Sequence, residues 1–181
     1  LVQNLKNKSA DGSGQEISDE LVPEVSAVGA DERTRVLSVE TPDGKPADVG
    51  DLTPGEVLDV SGSGFDAGIG IYVAICAIPE SAEEKPSPCL GGIPSGAEDG
   101  DAAGDTALSS VWITDDWAWR AFATQGYDDA KTGSFTARIT VPEPQMEGLD
   151  CRVTRCAIAT RADHTASSDR IQDILLPVAF H

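Results

Sequence analysis

The residues best suited to acid–base chemistry are Asp163, His164 and Thr165, which are consecutive near the end of the chain. A histidine oriented by a carboxylate and close to a hydroxyl is the arrangement of a hydrolytic site. Neighbouring side chains on a strand or loop point in different directions, so we instead expect His164 to face solvent and form hydrogen bonds. The sequence has no GxSxG, HExxH or phosphate-loop motif, and its other histidine is His181. We therefore predict no catalytic residues and no enzymatic activity.

Charged residues surround this histidine in the sequence. We expect them to form salt bridges and turn hydrogen bonds that hold the last loop in place. They are Arg161, Asp163, Asp169, Arg170 and Asp173.

A second candidate for chemistry is an acidic stretch with Asp99, Asp101 and Asp105 between glycines. Carboxylate oxygens are the ligands that calcium prefers. The spacing lacks the central glycine and the distal glutamate of an EF-hand loop. A solvated acidic loop is therefore the favoured interpretation, with calcium as the alternative, and we predict no metal site.

Haem binding requires a tyrosine or histidine that faces an apolar pocket. We expect Tyr72 to lie in the core, which leaves Tyr127 and His164 as weak candidates. We therefore predict no resident cofactor.

Four cysteines form two pairs that are local in sequence, Cys76 with Cys89 and Cys151 with Cys156. No histidine spacing typical of a zinc site accompanies them, so we predict disulfides. Three pairings are open, and loop-closure entropy favours the local ones. Disulfides indicate an extracytoplasmic protein, secreted or anchored to the cell envelope. The chain has no signal-like apolar run and no stretch of about 18 apolar residues, so we expect a trimmed form without a membrane span.

The net charge of -18 and the isoelectric point near 4.2 exclude a nucleic-acid partner. Proteins that bind phosphate backbones need clustered lysines and arginines, which displace counterions. The same charge disfavours binding to an anionic membrane surface.

All three tryptophans lie in residues 80–131, a segment rich in acidic and loop-forming residues. Large aromatic side chains in such a segment form either a local hydrophobic plug or a contact surface. The plug is favoured because tryptophan is usually buried. The candidate contacts for a partner or ligand are Trp112, Trp117, Trp119, Phe122 and Tyr127.

The elements that must position these residues are organised around residues 62–78, which predict a strand end, a glycine-rich turn and a second strand. Alternate residues of the second strand are apolar on both faces, so we expect a central strand covered from both sides. Further strands are predicted at residues 35–40, 56–61, 133–141, 150–160 and 174–180. Because no helical periodicity separates these strands, the sequence predicts an all-β fold.

Composition divides the chain into two parts. Residues 1–33 are polar with few apolar positions, which predicts a flexible N-terminal arm or linker. Residues 34–181 form the predicted folded domain, with an acidic insertion at about residues 80–131.

Several short motifs in the predicted domain resemble the neocarzinostatin family, the apoproteins of enediyne chromoproteins. The resemblance implies an immunoglobulin-like, seven-stranded β-sandwich that holds an apolar chromophore in a cleft. Residues 142–149 are shorter than the family's equivalent and lack aromatic residues, and the acidic insertion has no counterpart there. The motifs are residues 53–55, 60–65, 71–73 with 76–77, and 133–135, the Cys151-x4-Cys156 spacing, and residues 178–180.

Residues 160–165 and 169–173 are similar to a domain of actinobacterial cell-surface proteins, some of them linked to haem uptake. Together the two resemblances imply a non-enzymatic interaction module or accessory subunit at the cell envelope. Its expected partner is an envelope or membrane-complex protein. The alternative is a carrier of a small apolar ligand, haem or lipid, in a neocarzinostatin-like cleft.

Overall fold

The computed structural model describes residues 12–92 and 108–181, and within them it contains ten strands and one 3₁₀ turn. None of the helical structure in these residues is long and apolar enough to span a membrane. The strands are β1 (Glu24–Val28), β2 (Thr34–Glu40), β3 (Val57–Ser63), β4 (Ile71–Ala77), β5 (Ser110–Ile113), β6 (Phe135–Thr140), β7 (Gln145–Met146), β8 (Leu149–Asp150), β9 (Cys156–Ala162) and β10 (Ile174–Val178); the 3₁₀ turn is His164–Ala166.

Two four-stranded antiparallel sheets form a β-sandwich, which confirms the predicted all-β fold. Their strand orders are β1-β2-β3-β6 and β10-β9-β4-β5, and β7 and β8 form a separate hairpin. The described strands number ten rather than the seven that the resemblance implied. The main core lies between the two sheets and takes alternate residues from each strand.

Strand β4 is central, as its composition predicted, and all seven of its residues are buried. Ile71, Val73 and Ile75 belong to the main core between the sheets. Tyr72 and Ala74 point to the opposite face, where other segments of the chain cover them. We call this opposite face of sheet β10-β9-β4-β5 the outer face.

Gly62, in β3 just before the glycine-rich turn, lies against two aromatic rings. Phe65 and Phe135 pack with ring centroids 5.4 Å apart in the core. A Cβ on Gly62 would lie 2.3 Å from the Phe135 ring and 2.9 Å from the Phe65 ring. Only glycine therefore leaves space for this aromatic pair.

Both local disulfides are formed, and they include all four cysteines. This confirms the pairing that loop closure favoured. The Cys76–Cys89 bond fastens residues 79–88 across the end of β4, while the Cys151–Cys156 bond closes the turn before β9.

Part of the predicted flexible arm is a strand. Strand β1 pairs with β2 in antiparallel register and forms the edge of its sheet. Further upstream, the Gln15 side chain accepts a hydrogen bond from the backbone N–H of Leu175 at 2.7 Å and donates one to the Leu175 carbonyl at 2.5 Å. These parts of the predicted arm are attached to the sandwich, residues 24–28 by backbone pairing and Gln15 by its side chain.

The acidic insertion also contributes a strand. Strand β5 pairs with β4 and forms one edge of the sheet β10-β9-β4-β5. Trp112 on β5 lies opposite Tyr72 on β4. Trp112 thus lies on a strand rather than on a loop. The acidic loop with Asp99, Asp101 and Asp105, for which calcium is the alternative interpretation, lies outside the described residues.

Candidate functional site

An aromatic cluster covers one end of the outer face. Trp112 is fully buried and packs against Tyr72, with ring centroids 6.0 Å apart, and against Trp119 at 6.1 Å. Phe122 packs on Trp119 at 6.1 Å. Three of the five candidate contact residues therefore fill a local hydrophobic plug, and the Trp112 side chain has no surface available to a partner.

Asp163 is held beneath this cluster. Its Oδ2 accepts a hydrogen bond from Trp112 Nε1 at 3.0 Å, and its Oδ1 accepts hydrogen bonds from the N–H and hydroxyl of Thr165. A Cβ on Gly70 would lie 2.0 Å from Asp163 Oδ2. Glycine at this position therefore allows the carboxylate to reach the indole, and the carboxylate caps the 3₁₀ turn.

His164 points away from Asp163. It is exposed, and its Nδ1 lies 3.0 Å from the Tyr72 hydroxyl. Its ring packs edge-on against Trp119 at 4.6 Å between centroids. Asp163 and His164 thus have separate partners and do not form a base with its orienting carboxylate.

A polar cleft of about 180 Å³ opens beside His164. Two of its lining residues are brought together by strand pairing, because Tyr72 on β4 lies opposite Arg161 on β9. Three of the thirteen lysines and arginines of the chain border it. The lining residues are Tyr72, Lys85, Arg161, Ala162, Asp163, His164, Ser167 and Arg170. We call this space the basic cleft.

Arg161 is held in the basic cleft by a hydrogen bond and an aromatic ring. Its Nη1 donates a hydrogen bond to the Pro86 carbonyl at 2.6 Å, and its guanidinium carbon lies 5.8 Å from the centroid of the Tyr72 ring. Burial lowers the pKa of Arg161, and the charge of Arg170 acts in the same direction. Within the described part of the chain, Arg161 forms no ion pair with a carboxylate.

Arg170, in contrast, has a carboxylate partner. Its Nε lies 3.3 Å from Asp173 Oδ2, and about nine-tenths of each side chain is buried. Arg170 also donates hydrogen bonds to the carbonyls of Asp169 and Ser167. Burial raises the pKa of Asp173 to about 8, although Arg170 opposes this shift. Asp173 Oδ1 is buried and has no hydrogen-bond partner among the described residues.

The apolar part of the outer face is covered by the chain itself. Ala74, Ala159 and Leu175 pack with the Cys76–Cys89 disulfide, and Ile17 and Ile78 lie against them. The space left between Gln15, Leu175 and residues 79–86 is only about 20 Å³, close to the volume that one water needs. As far as residues 12–92 and 108–181 define it, this cavity is too small for an apolar ligand of haem or lipid size.

Trp117 differs from the other aromatic side chains. It is 91% exposed, whereas Trp112 is fully buried. It borders an open hollow of about 570 Å³ together with Asp66, Asp115 and Asp116. Arg33 lies at the same hollow and contributes its positive charge.

Tyr127, the fifth candidate contact residue, is anchored in the sandwich. Its hydroxyl donates a hydrogen bond to the Ile69 carbonyl at 2.8 Å, and its ring packs on Phe135. Burial raises the pKa of Tyr127 above its usual range. In residues 12–92 and 108–181 no group of three histidine, cysteine or acidic side chains is placed to hold a metal ion.

Sequence reasoning named Arg161 and Arg170 only as members of a salt-bridge cluster and did not single out Lys85. The available signal was weak: Lys85 is one of few basic residues in the acidic insertion. The convergence of these cations depends on contacts between segments that are distant in sequence.

Comparisons with known proteins found one family and one solved structure. The sequence model of the Neocarzinostatin family matches residues 45–172, which is more than half of the chain. Among solved structures, macromomycin is similar over 80% of this chain and 99% of its own chain, with 16% sequence identity and a TM-score of 0.41. No curated protein matches significantly. The extent of the family match shows that this chain belongs to the Neocarzinostatin family.

Proposed function

We propose that the protein is a non-enzymatic, extracytoplasmic interaction module or accessory subunit that docks on an envelope or membrane-complex protein through Trp117. The observation that carries this proposal is the 91% exposure of the Trp117 side chain. Tryptophan has a large apolar surface that favours burial, and buried tryptophans dominate the binding energy of many protein interfaces. Two disulfides support an extracellular location.

The surroundings of Trp117 suggest the chemistry of the partner. Asp66, Asp115 and Asp116 border the hollow beside the indole, and Arg33 partly offsets their charge. A complementary surface would offer an apolar recess for the indole and basic residues around it. Because the whole chain carries a net charge of -18, a basic partner would also associate faster at low salt.

A native mass spectrum of the protein, gently extracted from the cells that produce it, tests this proposal. We expect a protein-sized mass increment that Trp117→Ala removes. Val153→Ala is the matched control, because Val153 is also a largely exposed apolar side chain, at 84%, but lies in the Cys151–Cys156 turn. An increment that survives Trp117→Ala would contradict the proposal.

A second candidate function is the transport or storage of a small ligand. Family membership favours it, since the resemblance implies a ligand-holding cleft. The covered outer face leaves an apolar ligand such as haem or lipid no space unless Ile17 and its neighbours are displaced. The basic cleft of about 180 Å³ is one position where the described residues leave room for a small ligand. In the same mass spectrum, an increment of small-molecule size would support this candidate.

A further inference from the structure

We propose that the basic cleft binds the oxyanion group, phosphate or carboxylate, of a small ligand. This inference rests on the second candidate function and is independent of the contact at Trp117. Its first support is the distribution of charge. In a chain with a net charge of -18, Lys85, Arg161 and Arg170 come from separate segments and converge on one cleft.

The second support is the incomplete pairing of Arg161. The one hydrogen bond that its guanidinium makes among the described residues goes to a neutral carbonyl, that of Pro86. A partly buried cation without a counter-ion loses hydration that this bond does not fully replace. A bound anion would supply the missing negative charge.

The carboxyl groups of Asp163 and Asp173, close to the cleft, have partners other than Arg161 and Lys85. Both oxygens of Asp163 accept hydrogen bonds, from Trp112 and from Thr165. Asp173 Oδ2 pairs with Arg170. Neither carboxylate forms an ion pair with Arg161 or Lys85, although the charge of Asp173 acts on Arg161 from nearby. The guanidinium of Arg161 and the ammonium of Lys85 are therefore open to an anionic ligand.

The third support is the match of shape and donor type. An arginine guanidinium is planar and offers parallel N–H donors that fit the two oxygens of a carboxylate or phosphate. The Ser167 side chain and the Tyr72–His164 pair border the same space and provide polar groups. A volume of about 180 Å³ suits a small acid or a phosphate group and is below the range of about 300–1,000 Å³ typical of drug-sized ligands.

The test is a titration of the intact, disulfide-bonded protein with inorganic phosphate and, separately, with succinate, followed by amide NMR. We expect saturable shifts at Arg161, His164 and Ser167 at millimolar or lower concentrations. Shifts with phosphate alone would indicate a phosphate-bearing ligand, and shifts with succinate alone a carboxylate. The absence of saturable shifts with both probes would overturn the proposal.

Charge-neutralising variants separate specific binding from general ionic effects. We expect Arg161→Gln to weaken binding of the effective probe by about tenfold. Lys85→Gln should weaken it as well, and because Lys85 is exposed this variant should fold normally. Arg152→Gln is the control, since Arg152 is exposed, pairs with Asp150 and does not border the cleft. Equal affinity in the Arg161 and Lys85 variants and in the unmodified chain would also overturn the proposal.

Anion binding in the basic cleft and docking through Trp117 can be tested separately. Trp117→Ala should leave the affinity for phosphate or succinate unchanged, because Trp117 borders a different hollow. Loss of anion affinity in Trp117→Ala would contradict the assignment of binding to the basic cleft.

Discussion

Asp173 is a buried carboxyl whose environment changes its proton affinity. Burial raises its pKa to about 8, above the ordinary value of 3.8. The folded chain therefore binds a proton that the unfolded chain has already lost between these two values. The stabilising contribution is complete below pH 3.8 and is lost as the pH rises towards 8.

We expect the unfolding free energy to fall between pH 5 and pH 8, and Asp173→Asn to remove about 3 to 4 kcal/mol of this decrease. The measurement is urea denaturation at both pH values. Asp43→Asn is the control, since the Asp43 carboxyl is exposed. Identical pH profiles of the unmodified chain and Asp173→Asn would contradict the elevated pKa.

Arg35 is a fully buried cation with a complete set of partners. Its Nη1 and Nη2 donate hydrogen bonds to the two oxygens of Asp31 at 2.8 and 2.7 Å, and its Nε donates to Gln172 Oε1 at 3.2 Å. The hydrogen bond from Arg35 holds the pKa of Asp31 below its ordinary value. These bonds connect strand β2 to the loop before β10.

We expect Arg35→Gln to lower the unfolding free energy by about 3 kcal/mol, because it removes the bidentate pair with Asp31 and the hydrogen bond to the buried Gln172 side chain. Arg138→Gln is the matched control: its ion pair with Asp59 is bidentate too, but the arginine is exposed. Urea denaturation of both variants is the measurement. If Arg138→Gln lowered the unfolding free energy as much as Arg35→Gln does, burial of the arginine would not explain the loss of stability.

At the scale of elements, the segment around Gln15 acts as an additional edge to the second sheet. Two hydrogen bonds between the Gln15 side chain and the Leu175 backbone replace those that a neighbouring strand would make with β10. Ile17 then packs on the outer face of the sheet. A side chain and one apolar contact thus protect an otherwise open sheet edge.

We expect Gln15→Ala to accelerate hydrogen exchange of the Leu175 amide, because this N–H loses its acceptor. Exchange in the central strand β4 should not change. Glu16→Ala is the control, since the neighbouring Glu16 is exposed. Unchanged protection at Leu175 in Gln15→Ala would show that the N-terminal segment does not cover the edge in solution.

For the whole molecule, the excess of negative charge is the main long-range effect. A net charge of -18 on 181 residues causes repulsion that is greater in the compact state than in the unfolded chain. The buried Arg35–Asp31 pair is screened less than surface charges are. Screening by salt should therefore relieve repulsion more than it weakens this pair.

We expect the midpoint of thermal unfolding to rise when sodium chloride is increased from about 10 to about 200 mM at pH 7. Differential scanning calorimetry gives this midpoint directly. Sucrose at a similar osmolarity serves as the control for effects that do not depend on charge. A midpoint that falls with salt would show that attractive ion pairs outweigh the net repulsion.

The sequence by itself determined the all-β class, the buried central strand and the local disulfides. Periodicity, glycine-rich turns and cysteine spacing are short-range properties, so they can be recognised without knowing which strands pair. Ile71–Ala77 is the best example, because apolar residues on both faces of a strand require cover from both sides. Short motifs along the sequence also carried the resemblance to the Neocarzinostatin family, which the family match confirmed.

Only the tertiary structure decided which segments form the edge strands of the two sheets and which side chains contact one another. Strands β1 and β5 lie in segments with little periodicity, and they are strands because neighbouring strands pair with them. The basic cleft depends on the register that places Arg161 opposite Tyr72 and on the loop that brings Lys85 to both. Register between distant segments is a non-local property, set by packing of the whole core, and no local pattern in the sequence encodes it.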